Sequence, residues 1–412
     1  MTIQSVPLIA AITPWVGQPS NVWMHRQFSQ LSDQLKTIIT WEYINQQQFP
    51  LPDSEVRLVP AEFAQPLRGW TRTLDSFRTR RTGGARFGSA FNRWLKDQIV
   101  DCGAQAVLGQ FGHYAMVAEV ACRSLSIPVF AHFHGFDISA RLNKKRYQQS
   151  IQKQWHDFAG MIVVARYQRD YLIDQGVDPQ TIALIPCGAP ARAISAVVPS
   201  IRHQHFAGSP GRDQQCRFLF VGRFTEKKDP MSVIQAFGRC HQLHPHSRLR
   251  MAGFGPLEQE CRDWIGRQGS QLAGAIEFIG TLTPNQVIEE MASADVLVQH
   301  SRVSPSGDME GWPVVIGEAM AASLPIVATR HAGIVDQVDE GSNGLLCDEG
   351  DWEQMGEDMI RLAGDASLRT QFGEQSLRKI LDFDAALQIE RLRDFINERT
   401  AAVNGGQSRR AA

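Results

Sequence analysis

Residues 217–230 read Arg217-Phe-Leu-Phe-Val-Gly-Arg-Phe-Thr-Glu-Lys-Lys-Asp-Pro230. The apolar run that ends at Gly222 has the length and composition of a buried strand. Asp229 then places a capping side chain directly before a proline, whose missing N–H costs nothing at the first helical position. The stretch predicts a strand that passes through a short cationic loop into a capped helix. Outward from it the alternation continues, with helices over 230–243, 257–267, 284–292 and 313–322 and strands over 249–253, 276–280, 296–300 and 326–329. Thr283-Pro284 repeats the capped start, with capping-box spacing to Gln286. Strands alternating with helices lie parallel with crossover helices between them, so the fold class is α/β.

Towards the N-terminus the pattern is less regular but of the same kind. Strands are expected near 8–13, 106–109, 129–132 and 161–164, and helices near 22–35, 114–125 and 167–175. Between the two series, residues 186–215 are rich in Pro, Gly and polar side chains and lack clean periodicity, which reads as an interdomain connection. The expected organisation is a first domain over 1–190, a linker over 191–215, a second domain over 216–383 and a disordered tail over 398–412.

The chain has 412 residues, 43% of them hydrophobic and 21% charged, with 42 Lys and Arg against 43 Asp and Glu. That composition excludes disorder and collagen, and a formal net charge of −1 argues against whole-chain binding to a polyanion. Nucleic acid is not an expected partner. The seven cysteines are scattered and odd in number, without C-x-x-C, as suits reduced thiols in a cytoplasmic protein. The start lacks a basic segment, and its apolar run breaks at Thr13-Pro14, so it reads as a buried strand and not as a leader.

Three stretches carry possible chemistry. In the first, Gly222 at a strand's carboxyl end lets a ligand approach the backbone, and Arg223 and Lys228 could hold phosphate oxygens; the alternative is a βα turn with solvated lysines. The second is Ser304-Pro-Ser-Gly-Asp-Met-Glu-Gly-Trp-Pro-Val-Val-Ile-Gly-Glu318. Here Gly311 and Pro313 open a helix whose first N–H groups make an anion site, while Glu310 and Glu318 can face one cleft at two depths. In the third, Ala131-His-Phe-His-Gly-Phe-Asp137, a strand ends in two histidines, a glycine and an aspartate. The pair His132-x-His134, even followed by Asp137, lacks the full set of ligands a metal site needs, so no metal is expected. His134 beside Gly135 is the better candidate for function. A P-loop and a G-x-S-x-G elbow are absent, and Glu258 stands where the third glycine of a dinucleotide fingerprint belongs.

Taken in order, Val221-Gly-Arg-Phe-Thr-Glu-Lys-Lys228, Ala252-Gly-Phe-Gly-Pro-Leu257, Phe278-Ile-Gly-Thr-Leu282, Asp308-x-Glu310-Gly-x-Pro313 followed by Glu318-Ala-Met-Ala321, Pro325-Ile-Val-Ala-Thr329 and Gly341-Ser-Asn-Gly-Leu-Leu346 resemble family 4 of the retaining glycosyltransferases. In the first half, His134-Gly-Phe-Asp137, Ile185-Pro-Cys-Gly188 and Pro19-Ser-Asn-Val-Trp-Met24 agree. The motif around 307–315 with Arg330-His-Ala-Gly333 looks most like the exopolysaccharide and colanic-acid branch. The resemblance implies a GT-B fold: two Rossmann-like domains facing across a cleft, with a last helix, 384–397, returning to the first.

It further implies a hexose donor linked to UDP or GDP, no cofactor, and a saccharide or lipid-linked saccharide acceptor. By similarity Arg223 and Lys228 grip the donor diphosphate and Gly222 lets it approach. The segment Gly311, Trp312, Pro313 and Val314 binds the donor, with backbone N–H groups lent by all but Pro313. Glu318 binds the ribose, Glu310 the transferred sugar, and His134 lies near that sugar. Ser20, Asn21 and Asp137 fall on the acceptor side. Where many relatives have Gly-Gly-x-x-Glu after the strand 325–329, this chain has Ala332-Gly333-Ile-Val-Asp336.

Residues 68–96 hold seven Arg and one Lys against Asp75 alone, interleaved with Trp70, Phe77, Phe87, Phe91 and Trp94. Such a stretch suits peripheral contact with anionic lipid at the inner face of a membrane, or else a solvated helical face over core aromatics. Against a transferase stand a sugar-nucleotide epimerase of the same architecture and a non-catalytic scaffold that binds sugar nucleotides.

Overall fold

In a computed structural model, which describes residues 6–64, 88–206 and 215–411, the chain forms two compact units, Met1–Pro186 with Gln388–Ala412, and Cys187–Leu387. The first is built on seven parallel strands, β1 (Ile9–Val16), β2 (Leu35–Tyr43), β3 (Glu55–Leu58), β4 (Ala106–Gln110), β5 (Val129–His132), β6 (Gly160–Val163) and β7 (Ile182–Leu184), in the order β3-β2-β1-β4-β5-β6-β7. The second has six, β8 (Arg217–Val221), β9 (Arg248–Ala252), β10 (Ile276–Gly280), β11 (Val296–Gln299), β12 (Ile326–Thr329) and β13 (Gly344–Cys347), in the order β10-β9-β8-β11-β12-β13. Both sheets reverse direction of growth once, between β1 and β4 and between β8 and β11. In open α/β sheets, ligands bind in the crevice at the carboxyl ends of the strands on either side of that reversal.

The central strands are buried on both faces and read as nearly continuous apolar runs, as parallel sheets covered by helices do. In the second unit Phe218, Phe220, Phe237, Leu249 and Val298 pack on one face. Leu219, Leu297, Ile316 and Ile326 pack on the other. The helices start where expected. Asp229 caps the helix Pro230–Leu243, its Oδ2 accepting from Ser232 Oγ at 2.8 Å, and Thr283 forms a full capping box with Gln286 at the helix Pro284–Ser293. Asp229→Ala is expected to cost about 1 kcal/mol, the usual worth of such a cap, read as a lower denaturation midpoint.

The structure corrects the sequence reading in several places. The stretch expected to be a linker is a helix over Ala191–Phe206, although Pro199 lies inside it. Ala191, Ile194 and Val198 recur at helical spacing and bury against Leu219, Met291 and Ile316, and that packing outweighs the proline. Arg202 from the same helix donates to the carbonyls of Ala292 and Ala322, at the carboxyl ends of two neighbouring helices. The tail expected to be disordered continues the last helix, which runs Ala385–Ala411. Ile389, Leu392 and Ile396 pack among Ile9, Phe28 and Phe130, and Arg399 Nε donates to Ala159 O at 2.8 Å. The helix expected over 22–35 ends at Gln30, and β2 begins at Leu35. Most of the basic stretch, residues 68–87, lies outside the described residues; Phe91 and Leu95 from its end are buried in the helix Ser89–Asp101.

Candidate functional site

In the second unit, the residues singled out by sequence gather at the carboxyl ends of β8 and β11. Gly222 directly follows β8, and its N–H donates to Ala252 O at 3.0 Å. Gly253 packs against it with φ +132°, and a Cβ there would run into the carbonyl oxygen of Gly222. The glycines that failed as a dinucleotide fingerprint therefore let two loops touch backbone to backbone. Beyond Gly222, Arg223 is exposed, and a turn closed by Lys228 N–H to Thr225 O brings Lys228 back under the loop.

Lys228 Nζ lies 3.0 Å from Glu310 Oε1, with 13% and 9% of the two side chains exposed. Beside this pair Lys227 Nζ meets Asp308 Oδ2 at 2.9 Å. Burial alone would raise the Glu310 carboxyl, but the two lysines win and hold it at about 2. Burial pulls the Lys228 ammonium down from its ordinary value, opposed by Glu310 and helped by Lys227 and Arg223. A second anion brought to Lys228 would relieve that cost. The site is thus short of negative charge on the side of Arg223 and Lys228.

Two histidines that sequence reasoning had not assigned hold this frame. His331 is fully buried just after β12; its Nε2 accepts from the backbone N–H of Glu310 at 3.0 Å, so its Nδ1 carries the proton and donates to Glu349 Oε1 at 2.6 Å. Glu349 Oε2 in turn accepts from Val303 N–H at 2.9 Å. His300, at the end of β11, accepts at Nε2 from Gly350 N–H, 3.1 Å away, and its Nδ1 lies 3.4 Å from Asp229 Oδ2. The segment Glu349-Gly350 therefore ties the acidic loop to the loop after β8. The one signal available was the His331 of Arg330-His-Ala-Gly333, which marked only a family branch.

Gly311, Trp312 and Pro313 are buried, and the helix Val314–Ala321 starts directly after them with Pro313 as its cap position. The Trp312 ring lies tilted against that of Phe383, centroids 5.2 Å apart. Of the first N–H groups of that helix, Ile316 donates to Pro313 O at 3.0 Å, and those before it are left without an intrahelical partner. Glu318 is half-buried in the second turn. Asp336 sits half-buried in the short helix Ile334–Gln337, preceded by Ala332 at φ +44°. That left-handed conformation favours glycine, the residue the resemblance would put there.

His134, Asp137, Ser20 and Asn21 belong to the first unit. Asp137 is buried, its Oδ2 accepting from Gly112 N–H at 2.7 Å and its Oδ1 from His134 N–H at 2.8 Å. Expected on the acceptor side, it holds two loop amides, one on each carboxylate oxygen. His134 Nε2 donates to Gln110 Oε1 at 3.0 Å, and burial lowers its pKa well below the ordinary value, keeping the ring neutral. Ser20 is exposed and Asn21 half-buried in the turn after β1. Among the described residues, no group of three or more His, Cys, Asp or Glu is arranged to hold a metal ion. All seven cysteines are free thiols. Among the described residues no helix is long and apolar enough to cross a membrane.

Residues 202–379 match the family model of glycosyl transferases group 1, and residues 52–192 that of glycosyltransferase family 4. WcaL of Salmonella typhimurium, assigned to colanic acid biosynthesis as a glycosyltransferase, is 33% identical over 255 residues, 60% of this chain and 59% of its own length. The chain thus spans about three fifths of that relative. The amylovoran biosynthesis glycosyltransferase AmsK of Erwinia amylovora is 26% identical over 71% of this chain and 69% of its own. The crystal structure of Anabaena HepE in complex with UDP superposes with a TM-score of 0.74 over 95% of this chain and 100% of its own, at 15% identity, a likeness of fold. The fold is the one expected, two Rossmann-like α/β domains of GT-B type.

Proposed function

This chain belongs to the glycosyltransferases of the group 1 and family 4 models it matches, and on that premise we propose that it moves a hexose from a nucleoside-diphosphate sugar to a saccharide or lipid-linked saccharide, with retention, in exopolysaccharide biosynthesis. The observation that carries the reading is the Lys228–Glu310 pair at the carboxyl edge of β8 and β11, beside exposed Arg223 and the start of the helix Val314–Ala321. Relatives named for colanic acid and amylovoran biosynthesis support the process, and the UDP complex of HepE supports a uridine donor.

The residue types suit the chemistry. As the bond from the anomeric carbon to the diphosphate breaks, negative charge grows on phosphate and the sugar becomes cation-like. Arg223, Lys228 and the amides that open the helix meet the first, and the Glu310 carboxylate meets the second. The acceptor oxygen bonds to the same face of the carbon, and its proton passes to the departing phosphate oxygen. No protein base is required, and Glu310 positions the sugar. In the first unit, His134 is neutral and held by Gln110.

Thermal denaturation with UDP, GDP, ADP and their hexose conjugates tests the donor. One nucleotide is expected to stabilise the wild type by about 2.7 kcal/mol at a hundred times its dissociation constant and to leave Arg223→Ala nearly unmoved. Absence of any shift with all three nucleotides would overturn the reading. An epimerase would instead convert the donor, without acceptor, to a new nucleotide sugar.

A further inference from the structure

We infer that Trp15, Phe111 and Trp23, at the carboxyl edge of the first sheet, form a stacking shelf for an uncharged pyranose ring of the acceptor. This deepens the transferase reading and rests on it. The place is the point where that sheet reverses: Trp15 lies near the end of β1, Phe111 directly after β4, and Trp23 in the helix Val22–Gln30 that follows β1. The rings form one row through His134. Centroids are 5.9 Å apart for Trp15 and Phe111, 4.9 Å for Phe111 and His134, and 4.2 Å for His134 and Trp23. All three aromatic side chains are half-buried, so part of the row stays open.

The backbone is shaped to hold this row. Phe111 takes φ +68°, a conformation costly for a bulky residue and kept where the surroundings over-determine it. A Cβ at the next residue, Gly112, would collide with Phe133 and Tyr147, so the chain has little choice in how it leaves β4. With its amide oxygen turned to the indole, Asn21 accepts from Trp15 Nε1 at 2.6 Å and donates to Ser20 O at 3.1 Å. Asn21 thus fixes the plane of Trp15, a role sequence reasoning had placed only loosely on the acceptor side.

The polar groups behind the row are uncharged. His134 donates to Gln110, Gln110 to Gln27, and Gln27 Nε2 lies 3.5 Å from His132 Nδ1. That direction leaves the His132 proton on Nε2, a buried donor without a partner beside Trp23, whose ring centroid is 6.3 Å away. Burial holds the His132 ring down at about 3, neutral at any ordinary pH. Aromatic faces take the C–H face of a pyranose, and amides and neutral imidazoles take its hydroxyls; an anion would find no cation in this hydrogen-bonded chain.

Saturation-transfer NMR on the full chain tests the shelf, with the methyl α-glycosides of glucose, galactose and mannose as probes and methyl glucuronoside as the charged control. At least one neutral glycoside is expected to take up saturation at its ring protons in the presence of saturating nucleoside diphosphate. Trp15→Ala and Trp23→Ala should each reduce it fivefold or more, with Trp23→Phe retaining most of it. The inference is overturned if no neutral glycoside responds, if the glucuronoside responds equally, or if both alanine variants match the wild type. Nucleotide stabilisation of the same variants reports separately on their folding and on the donor site, so failure of the shelf and failure of the transferase reading give different patterns.

Discussion

Lys228→Ala is expected to lower kcat/KM by about 10²–10³-fold, the usual worth of a group aimed at charge that develops in the transition state, or about 2.7–4 kcal/mol. Its ammonium is held 3.0 Å from Glu310 in a largely buried site, so it is oriented before the donor arrives and needs no rearrangement as the diphosphate leaves. Glu310→Gln should fall as far in kcat but less in KM, because the carboxylate acts on the cation-like sugar and not on the bound nucleotide. Turnover of Lys228→Ala within tenfold of wild type would remove the lysine from the mechanism.

The same pair has a signature in stability. The Glu310 carboxyl titrates at about 2 in the folded chain against 4.5 ordinarily. A depressed carboxyl stabilises the fold above its ordinary value, and the contribution is lost as pH falls from about 4.5 to about 2. Glu310→Gln should lack that slope. Each single substitution removes the direct partner of a buried charge, with only Lys227 left to act on Glu310 in Lys228→Met, so the double variant Lys228→Met with Glu310→Gln is expected to be more stable than Lys228→Met alone and still inactive. Denaturation of the set at pH 7 and pH 3.5 separates the two effects.

How much of this was legible beforehand follows from where the hydrophobic signal is strong. The helix Pro230–Leu243 and the strands Val296–Gln299 and Ile326–Thr329 fall where the sequence places them, because caps and doubly buried strands write themselves into short stretches. Four strands escaped: Leu35–Tyr43, which begins at the last residue of the helix expected over 22–35, and three sheet edges of three or four residues, Glu55–Leu58, Ile182–Leu184 and Gly344–Cys347. The two edges in the first sheet are also partly exposed, and short edges carry little period. The helix Ala191–Phe206 escaped because Pro199 and the polar residues around it outweighed a stripe of only Ala191, Ile194 and Val198.

At the site, motif spacing picked out Arg223, Lys228, Glu310 and the loop to Val314, which lie close in sequence to strand ends. His300, His331 and Glu349 were missed because their roles depend on bonds across 50 residues in one case and 18 in another. The aromatic row was missed for a related reason. Trp15, Trp23 and Phe111 look like core residues until the sheet places the ends of β1 and β4 side by side.

The second large effect is expected at Asp137, where alanine should cost about 3 kcal/mol of folding stability. Its carboxylate accepts from Gly112 N–H at 2.7 Å and from His134 N–H at 2.8 Å, and both residues are buried. A buried donor left unpaired costs about 1–3 kcal/mol, against a total of about 5–15 kcal/mol for an ordinary domain. Burial works the other way on the carboxyl itself, raising it to about 6 from 3.8 despite those two bonds. A carboxyl raised on folding contributes most below its ordinary value and loses that contribution as pH rises through about 6. The gap between wild type and Asp137→Asn should therefore be wider at pH 4.5 than at pH 7.5, while Asp137→Asn, with one amide oxygen for two donors, falls between wild type and alanine at neutral pH. Urea denaturation followed by tryptophan fluorescence, sensitive to Trp15 and Trp23 nearby, reads both. Equal midpoints for all three proteins would return Asp137 to the list of ligand-binding residues, since a carboxylate that does not hold its own loop has no other reason to be buried at the end of β5.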